Sequence, residues 1–236
     1  MPDSLIPRRN QDRQTLVPGI ALVLREQIWK GELLPGEHLK QQQLADSLKV
    51  SLIPLREALR TLEAEGLIEI NPHKGVRVTP VTAQEVVEWN LEFKGLMYAC
   101  LPLAVPLMTP ETIAKLRVMA ARLDQEGLSS GEHLTFWRTI FAPIGMERLS
   151  SLMEQLVWRL GRYFLAGGKT VFTRLREVHP NRLDFLDACA DGDSERAYQT
   201  LITFIRVRMN GFMDLMLEKD RAEVLPEPRK GRRRSA

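Results

Sequence analysis

The segment spanning residues 44–67 limits the possible folds of this chain more than any other segment. It begins with a short amphipathic run, which predicts a short helix, and a Lys49–Val50 turn follows. Ser51 is a suitable N-cap for a second helix, and Gly66 stands where a C′ glycine would end that helix. Two short helices joined by a tight turn are typical of a helix-turn-helix, whose second helix lies in the major groove of DNA.

The flanking segments extend this pattern to a winged helix. An apolar face recurs through residues 16–30, which predicts a helix ahead of the pair, and a Pro35–Gly36 turn follows. Behind the pair, residues 67–70 and 76–79 are β-prone runs joined by residues 71–75, which predicts a hairpin. A small α+β packing module without a DNA role is the alternative interpretation. The ordered combination of helix, helix pair and hairpin favours the winged helix.

The residues expected to face DNA lie on the helix pair and at the tip of the hairpin. Side chains at such positions can contact phosphates or base edges. The expected DNA-binding set is Gln42, Gln43, Ser51, Leu52, Ile53, Pro54, Arg56, Arg60, His73, Lys74 and Gly75, with Gln41 as a further polar contact.

These motifs resemble the GntR superfamily of bacterial transcription regulators. The segments that carry the similarity are Leu24–Glu37, Leu44–Ala45, Val50–Ser51, Pro54–Leu59, Leu62–Leu67 and Lys74–Gly75. The helical pattern after Val78 resembles the FadR-type branch, which carries an all-α effector-binding FCD domain. The resemblance implies a homodimer that binds a double-stranded DNA operator and a small-molecule effector.

The start of the second helix departs from the pattern of this family. The usual run is Val-Ser-Arg-Thr-Pro, whereas this chain has Leu52 and Ile53 in place of the arginine and the threonine. We expect both side chains to be exposed, with nothing internal to bury them. They could contact thymine methyl groups, or they could mark a divergent operator or low affinity for DNA.

The expected fold is an α+β N-terminal winged helix-turn-helix followed by an all-α helical bundle domain. A Thr82–Glu85 capping box opens the second domain, and Pro102 and Pro106 should kink or split its first helix. The predicted helices span residues 82–107, 110–127, 131–142, 146–166, 169–190 and 194–219. The expected division is a flexible N-terminus at 1–13, a winged-helix DNA-binding domain at 14–80, an effector-binding and dimerisation domain at 82–220, and a basic disordered tail at 221–236.

The resemblance also implies an interior pocket, which in related regulators often holds a metal through one aspartate and three histidines. His133 stands at the aspartate position and Trp137 at the first histidine position, in a run that corresponds to D-x-x-F-H. The second histidine matches His179, and the third falls at Phe204. Because the two aromatic side chains offer no lone pair, two histidines alone do not complete a closed metal site. We therefore expect no metal and no other cofactor.

Basic side chains near this pocket are candidates to bind an anionic effector, such as an organic acid or an acyl derivative. Lys94 lies near the position of a family arginine, and Arg159 and Arg162 are three residues apart on one helical face. They could equally be surface charges paired with Glu154 or Asp184. The expected effector-binding set is Lys94, His133, Trp137, Arg159, Arg162, Tyr163, His179 and Phe204, with Phe136 as a further aromatic wall.

Composition adds limits on compartment and charge. The 236 residues suffice for two domains with their own cores, and there is no apolar run of about 18 residues and no apolar leader. We therefore expect a cytoplasmic protein without a membrane segment, in which Cys100 and Cys189 are buried free thiols. The net charge is +3, but residues 226–236 contribute +4 of it. Residues 8–80 carry eleven basic and nine acidic side chains, so DNA affinity must come from local clustering and dimeric engagement.

The leading functional hypothesis is a ligand-responsive DNA-binding transcriptional regulator of a nearby metabolic operon. The alternative is an interaction or dimerisation protein of the same fold with weak or divergent DNA binding, as Leu52 and Ile53 suggest. An enzyme is not expected, because the chain has no Ser/His/Asp order, phosphate loop, HExxH or GxGxxG motif.

Overall fold

The structure is a computed structural model whose described backbone comprises residues 13–125, 130–177 and 182–206. Side chains are described for residues 16–123, 130–163 and 182–206. The expected flexible N-terminus and basic tail lie outside this part, apart from residue 13. Within it, no helix is both long and apolar enough to cross a bilayer.

The N-terminal part is a winged helix, as the sequence predicts. Its elements are α1 (Arg13–Lys30), β1 (His38–Leu39), α2 (Gln41–Leu48), α3 (Leu52–Ala64), β2 (Ile68–Asn71) and β3 (Gly75–Val78). The strands form an antiparallel sheet in the order β1-β3-β2, with Asn71 paired to Gly75 at the tip of the hairpin. The sequence did not indicate β1, because a two-residue strand has no alternating pattern of its own.

The boundaries of the helix pair follow the expected turn residues. Lys49 ends α2 in the left-handed conformation, with φ of 55°. Ser51 precedes α3 with extended backbone, although its hydroxyl makes no capping hydrogen bond. Gly66 follows α3 with φ of +73°, and its N–H donates to the carbonyl of Glu63. A left-handed glycine just beyond a helix satisfies carbonyls of its last turn, which explains why α3 ends there.

The C-terminal part is all-α within the described residues. Its helices are α4 (Ala83–Ala104), α5 (Pro110–Gln125), α6 (Ser130–Phe141), α7 (Glu147–Glu177), α8 (Arg182–Ala190) and α9 (residues 194–206), with 3-10 turns at Val105–Leu107 and Ala142–Ile144. The hydroxyl of Thr82 accepts the N–H of Glu85 at 3.2 Å, which confirms the predicted cap. The Glu85 carboxylate does not complete a capping box, since it accepts from Arg162 instead.

One predicted helix break is wrong and another is confirmed. The predicted break between residues 166 and 169 does not occur, and α7 continues through Gly167 and Gly168. Glycine weakens a helix by only about 1 kcal/mol per residue, so two glycines alone do not have to end a long helix. The first bundle helix continues through Pro102 and ends at Ala104, so the expected interruption occurs at the 3-10 turn that contains Pro106. The predicted continuation of α9 to residue 219 lies outside the described residues.

The two parts share one hydrophobic core. Helix α1 packs both on α3 and on α7, so it belongs to the winged helix and also lies against the bundle. Within the bundle, the indole N–H of the buried Trp89 donates to the carbonyl of Leu156 at 2.9 Å, which fixes α4 on α7.

Candidate functional site

The exposed side of α3 carries the basic residues expected at a DNA interface. Arg56 and Arg60 are exposed, while Leu55, Ala58 and Leu59 on the opposite side are buried. The Arg56 guanidinium donates from Nε to the side-chain oxygen of Gln41 at 3.0 Å. This hydrogen bond joins α3 to the start of α2 and orients the guanidinium on the exposed side. Gln42 and Gln43 of α2 are exposed as well, and the Gln42 amide donates to Asp46 at 3.0 Å.

The first turn of α3 corrects part of the expected DNA-binding set. Ile53 is 57% exposed, in agreement with the expectation. Leu52 is only half-exposed and packs against the core, so the expectation that nothing internal would bury it is wrong. Pro54 is buried and faces the core side of α3, so its ring is not available to DNA. Ser51 is exposed at the N-terminus of the helix.

The hairpin between β2 and β3 holds its tip through one asparagine. The side-chain oxygen of Asn71 accepts the backbone N–H groups of His73 at 3.0 Å and of Lys74 at 3.2 Å. Gly75 has φ of +81°, a conformation that favours glycine. His73, Lys74 and Gly75 are all exposed. The tip is therefore an ordered turn that presents an imidazole and an ammonium group to the surroundings.

Two carboxylates anchor α3 to its neighbours. Glu65 at its end accepts from Nε of Arg25 on α1 at 2.7 Å, and both side chains are largely buried. Glu63 accepts the backbone N–H of Ile70 in β2 at 3.1 Å. These contacts fix α3 relative to α1 and to the wing, which is the arrangement that a helix reading a groove requires.

The second candidate site is a cavity inside the bundle, to which five helices contribute. Aromatic side chains dominate its wall, and the polar groups there are those of His133, Arg182 and Thr200. Among the residues that the structure describes, its lining is Trp89 and Phe93 of α4, His133, Phe136 and Trp137 of α6, Val157 and Leu160 of α7, Arg182 and Phe185 of α8, and Thr200, Leu201, Phe204 and Ile205 of α9.

Two of the polar groups of the cavity wall are buried. His133 and Arg182 are both buried, and the Arg182 guanidinium lies over the ring of Phe204 at 5.2 Å from its centroid. The cavity measures about 40 Å³. Ligand pockets typically measure about 300–1,000 Å³, so any sizeable molecule must displace part of this wall on entry.

The residues of the cavity do not fit the metal site that the family resemblance implies. Trp137 and Phe204, which stand at two histidine positions, both lie in the cavity wall and offer no lone pair to a metal. His133 contributes one imidazole, and His179 lies outside the described residues. Among the residues that the structure describes, no three His, Cys, Asp or Glu side chains are grouped to hold a metal ion.

Arg162 is not part of the cavity, which corrects the expectation that it binds an effector. It is fully buried, and its guanidinium donates to the carboxylate of Glu85 and, at 2.9 Å, to the backbone carbonyl of Thr79. The expected anion site on Arg162 is therefore occupied by a carboxylate of the chain itself. Because Thr79 directly follows β3, this arginine joins the end of the winged helix to the first helix of the bundle.

Three further candidate effector residues, Arg159, Tyr163 and Lys94, lie outside the cavity wall as well. Arg159 forms an ion pair with Glu92 at 2.5 Å and faces the groove between β2 and the bundle. Tyr163 is buried behind Trp89, with an edge contact between their rings at 5.8 Å, and burial raises the pKa of its phenol. Lys94 is half-buried on α4 and does not line the cavity. Arg159 and Arg162 do pair with carboxylates, as the alternative interpretation expected. Their partners are Glu92 and Glu85, not Glu154 or Asp184.

Arg182 lines the cavity, whereas Arg159 and Arg162 do not. The sequence contained one signal for it, because Arg182 follows His179 by three residues and His179 was already expected at the pocket. Trp89, Phe93 and Phe185 were not expected at the pocket either. Their apolar character does not distinguish a cavity wall from an ordinary core position.

A tryptophan of α1 connects this cavity to the winged helix. The ring of Trp29 lies 5.8 Å from that of His133, which lines the cavity, and 6.0 Å from that of Trp158 in an edge contact. Next to it, the Ser130 hydroxyl of α6 donates to Glu26 of α1 at 2.5 Å. One imidazole therefore contacts the cavity on one side and the winged helix on the other.

Comparisons with known proteins agree with this architecture. Residues 17–78 match the family model of bacterial regulatory proteins of the gntR family, and residues 95–206 match that of the FCD domain. An uncharacterized HTH-type transcriptional regulator of Streptomyces ambofaciens is 30% identical over 79% of this chain and 80% of its own length. The regulator McbR of Escherichia coli K12 is 30% identical over 58% of this chain.

Several of these matches cover only part of the relative's length. The chain spans less than two thirds of the length of several curated relatives, 65% in the case of McbR. The solved structure of E. coli McbR/YncC superposes with a TM-score of 0.70 over 86% of this chain and 98% of that chain, at 24% identity. That likeness concerns the fold. Together with the Streptomyces relative and the two family models, these matches show that the chain belongs to the GntR family of bacterial transcription regulators, in the branch that carries an FCD domain.

Proposed function

We propose that this protein is a homodimeric transcriptional regulator that binds a double-stranded DNA operator and responds to a small anionic effector. Residues 14–80 would bind DNA, and residues 82–220 would bind the effector and dimerise. The observation that carries the proposal is the position of His133, which lies in the cavity wall and also contacts Trp29 of the winged helix. A protein that binds DNA works where the DNA is, so we infer a cytoplasmic location.

On the DNA side, the proposal rests on exposed groups of α2, α3 and the wing. Arg56 and Arg60 supply guanidinium groups on α3, and His73 and Lys74 supply basic groups on the wing. Ile53 at the start of α3 provides an apolar group suited to a thymine methyl. One winged helix has few such contacts and little net charge, so specific binding would require both copies of a dimer on a near-palindromic site.

On the effector side, the residues that line the cavity are suited to bind an acid with a flat or extended apolar body. A guanidinium binds a carboxylate through charge-assisted hydrogen bonds, and Arg182 supplies a guanidinium among the described lining residues. The aromatic rings around it would hold the apolar part of the molecule. Because the cavity is narrow, entry would move the side chains that line it, including His133, and that movement would reach Trp29.

Selection from random duplexes tests the DNA-binding half of the proposal. The full-length protein should enrich a near-palindromic sequence and bind it with a Kd at least about 1,000-fold lower than that of an unrelated duplex of equal length. Mass measurement of the complex should give two chains per duplex. Enrichment of no sequence, or a monomer on a single half-site, would contradict the proposal.

Paired ligands test the effector half. Aromatic and medium-chain carboxylic acids should raise the melting temperature, whereas the corresponding primary amides, which keep the shape but lack the charge, should raise it much less. Arg182→Gln should remove the difference between each acid and its amide. If acids and amides behave alike in the wild type, the effector is not recognised by its charge.

A second candidate function has its own observation. Leu52 and Ile53 stand where the family pattern has an arginine and a threonine, so the recognition helix lacks one cation. A protein of this fold that acts mainly through protein contacts would show this loss together with weak DNA binding. The same selection distinguishes the two, since an interaction protein would show no preference among duplexes.

A further inference from the structure

Helix α4 carries an apolar strip on the side that faces away from the bundle. Its buried side places Trp89, Phe93 and Met97 in the core. Exposed residues on the other side recur every four positions along the helix, and Tyr98 lies beside them. We call this set the α4 strip: Val87, Leu91, Gly95, Tyr98, Ala99 and Leu103.

The α4 strip is unusually apolar for a helix face in contact with water only. Leu91 is 64% exposed and Tyr98 is 65% exposed, and Val87 and Leu103 are close to half exposed. These side chains expose on the order of 500 Å² together, which is within the range of about 300–600 Å² for the largest patch of a typical monomer, a patch that is often functional. A standard interface buries about 800 Å² on each partner, so the strip would supply more than half of one.

Two carboxylates beside the α4 strip are engaged within the chain. Glu92 is paired with Arg159, and Glu88 accepts from the amide of Gln84 at 2.7 Å. The ring of Tyr98 contacts that of Tyr198 at 5.5 Å, which fixes it at the edge of the strip. The strip is therefore a continuous apolar ridge, with its nearest carboxylates turned to partners within the chain.

The centre of the α4 strip is a glycine with open space above it. A Cβ added to Gly95 would meet no heavy atom within 4 Å, so the fold of one chain does not require glycine there. Glycine is also a poor helix former at an exposed position. Its absence of a side chain does permit a second backbone to approach closely.

The order of residues along the α4 strip is complementary to that of the same strip in a second copy of the chain. A two-fold axis at Gly95, with the helices antiparallel, places Leu91 opposite the partner's Ala99 and Val87 opposite the partner's Leu103. Each pair is apolar, and the bulky Leu91 meets a small residue. A two-fold interface must be self-complementary in this way, because the same patch serves both subunits.

We propose that the α4 strip is the surface through which two copies of this chain dimerise, with the two helices crossing at Gly95. The inference rests on the proposed homodimer and adds where its subunits meet. The occupant of the strip is thus a second identical chain, related by the two-fold axis that a near-palindromic operator would also require.

Gly95→Glu tests the α4 strip as a dimer surface and should leave the fold of the single chain intact. The new side chain has open space in the monomer, and glutamate forms helix better than glycine does. Across the two-fold axis it would bring two carboxylates together. The matched control is Val118→Glu, at a position on α5 that is 57% exposed. Sedimentation equilibrium should give twice 27.0 kDa for the wild type and the control, and 27.0 kDa for Gly95→Glu with an unchanged circular dichroism spectrum.

A cysteine at the proposed axis gives an independent readout. Disulfides form when two Cα atoms lie about 4.4–6.8 Å apart, which a close crossing at residue 95 would allow. Oxidation of Gly95→Cys with copper phenanthroline should yield a covalent dimer, and Val118→Cys should not. If the wild type and Gly95→Glu are both dimers and residue 95 does not cross-link, the proposed surface is wrong. The homodimer itself would then still hold. A monomeric wild type would overturn the homodimer itself.

Discussion

The indole of Trp29 on α1 lies directly over Gly161 of α7. A Cβ at position 161 would stand 2.4 Å from Cε3 of the indole, closer than two non-bonded carbon atoms can approach. Glycine at this position therefore allows the winged helix to seat its tryptophan against the bundle, next to His133 of the cavity wall. The pair is a small residue facing a large one, at the contact through which effector binding would alter the position of the winged helix.

Gly161→Ala should displace Trp29 and lower the stability of the protein by about 1–3 kcal/mol, the usual cost of overpacking a tight contact. Denaturant unfolding followed by tryptophan fluorescence measures the change. Trp29→Leu in the same chain should remove most of the additional cost of the alanine, because the clash partner is smaller. If the two substitutions were simply additive, the clash would not be the cause.

Arg162→Ala should destabilise the fold by about 3–5 kcal/mol, because it leaves the carboxylate of Glu85 buried without its cation. The guanidinium is fully buried, so little of this energy is screened by solvent. The double variant Arg162→Met with Glu85→Gln should recover part of the loss. A variant as stable as the wild type would show that the Arg162 ion pair does not hold the two domains together.

For the recognition helix, Arg56→Ala should weaken binding to all duplexes and reduce the slope of log K against log salt by about one, as expected for one lost phosphate contact. Arg148→Ala is a matched control, since it removes an exposed arginine of the bundle. Equal effects of the two substitutions would indicate that only net charge matters.

Leu52→Arg introduces the residue that is usual in the family at this position. It should raise affinity for DNA, because Leu52 is half-exposed in the first turn of α3, where an arginine side chain can extend outward. Binding to the selected operator and to an unrelated duplex measures the gain. Unchanged affinity for both would show that position 52 does not face DNA.

The two cysteines predict how stability depends on alkaline pH. Burial raises the pKa of the Cys189 thiol to about 12, from an ordinary value of 9.0, and raises that of Cys100 as well. Between these limits the unfolded chain loses thiol protons that the folded chain keeps. The contribution of the protonated Cys189 thiol to the free energy of unfolding is therefore complete below pH 9.0 and is lost as the pH rises toward 12. Cys189→Ala should flatten the fall in unfolding free energy measured from about pH 8 to about pH 10.5.

Local signals in the sequence were sufficient for the helices and the hairpin of the winged helix, although not for β1. Turn residues such as Gly66 and the Asn71–Gly75 hairpin specify their own backbone, so the order of elements could be predicted without knowing what packs on them. The cavity wall was partly accessible too, since the family resemblance pointed to His133, Trp137 and Phe204, and all three line it.

The partners of buried charges could not be predicted in the same way. Arg159 and Arg162 share a helical face, but whether they contact an effector or a carboxylate depends on where α4 lies across α7. That packing brings Glu92 and Glu85 to them and leaves Arg182 in the cavity. Such contacts join residues more than sixty positions apart, and no local pattern encodes them.

The most direct test of the account is the operator affinity of the full-length protein with and without a carboxylic acid that raises its melting temperature. Coupling between two sites typically amounts to about 1–3 kcal/mol, so saturating acid should change the Kd for the selected operator by about 5- to 150-fold. By linkage, saturating operator should change the Kd for the acid by the same factor. An acid that binds in the cavity but leaves operator affinity unchanged would contradict a ligand-responsive regulator.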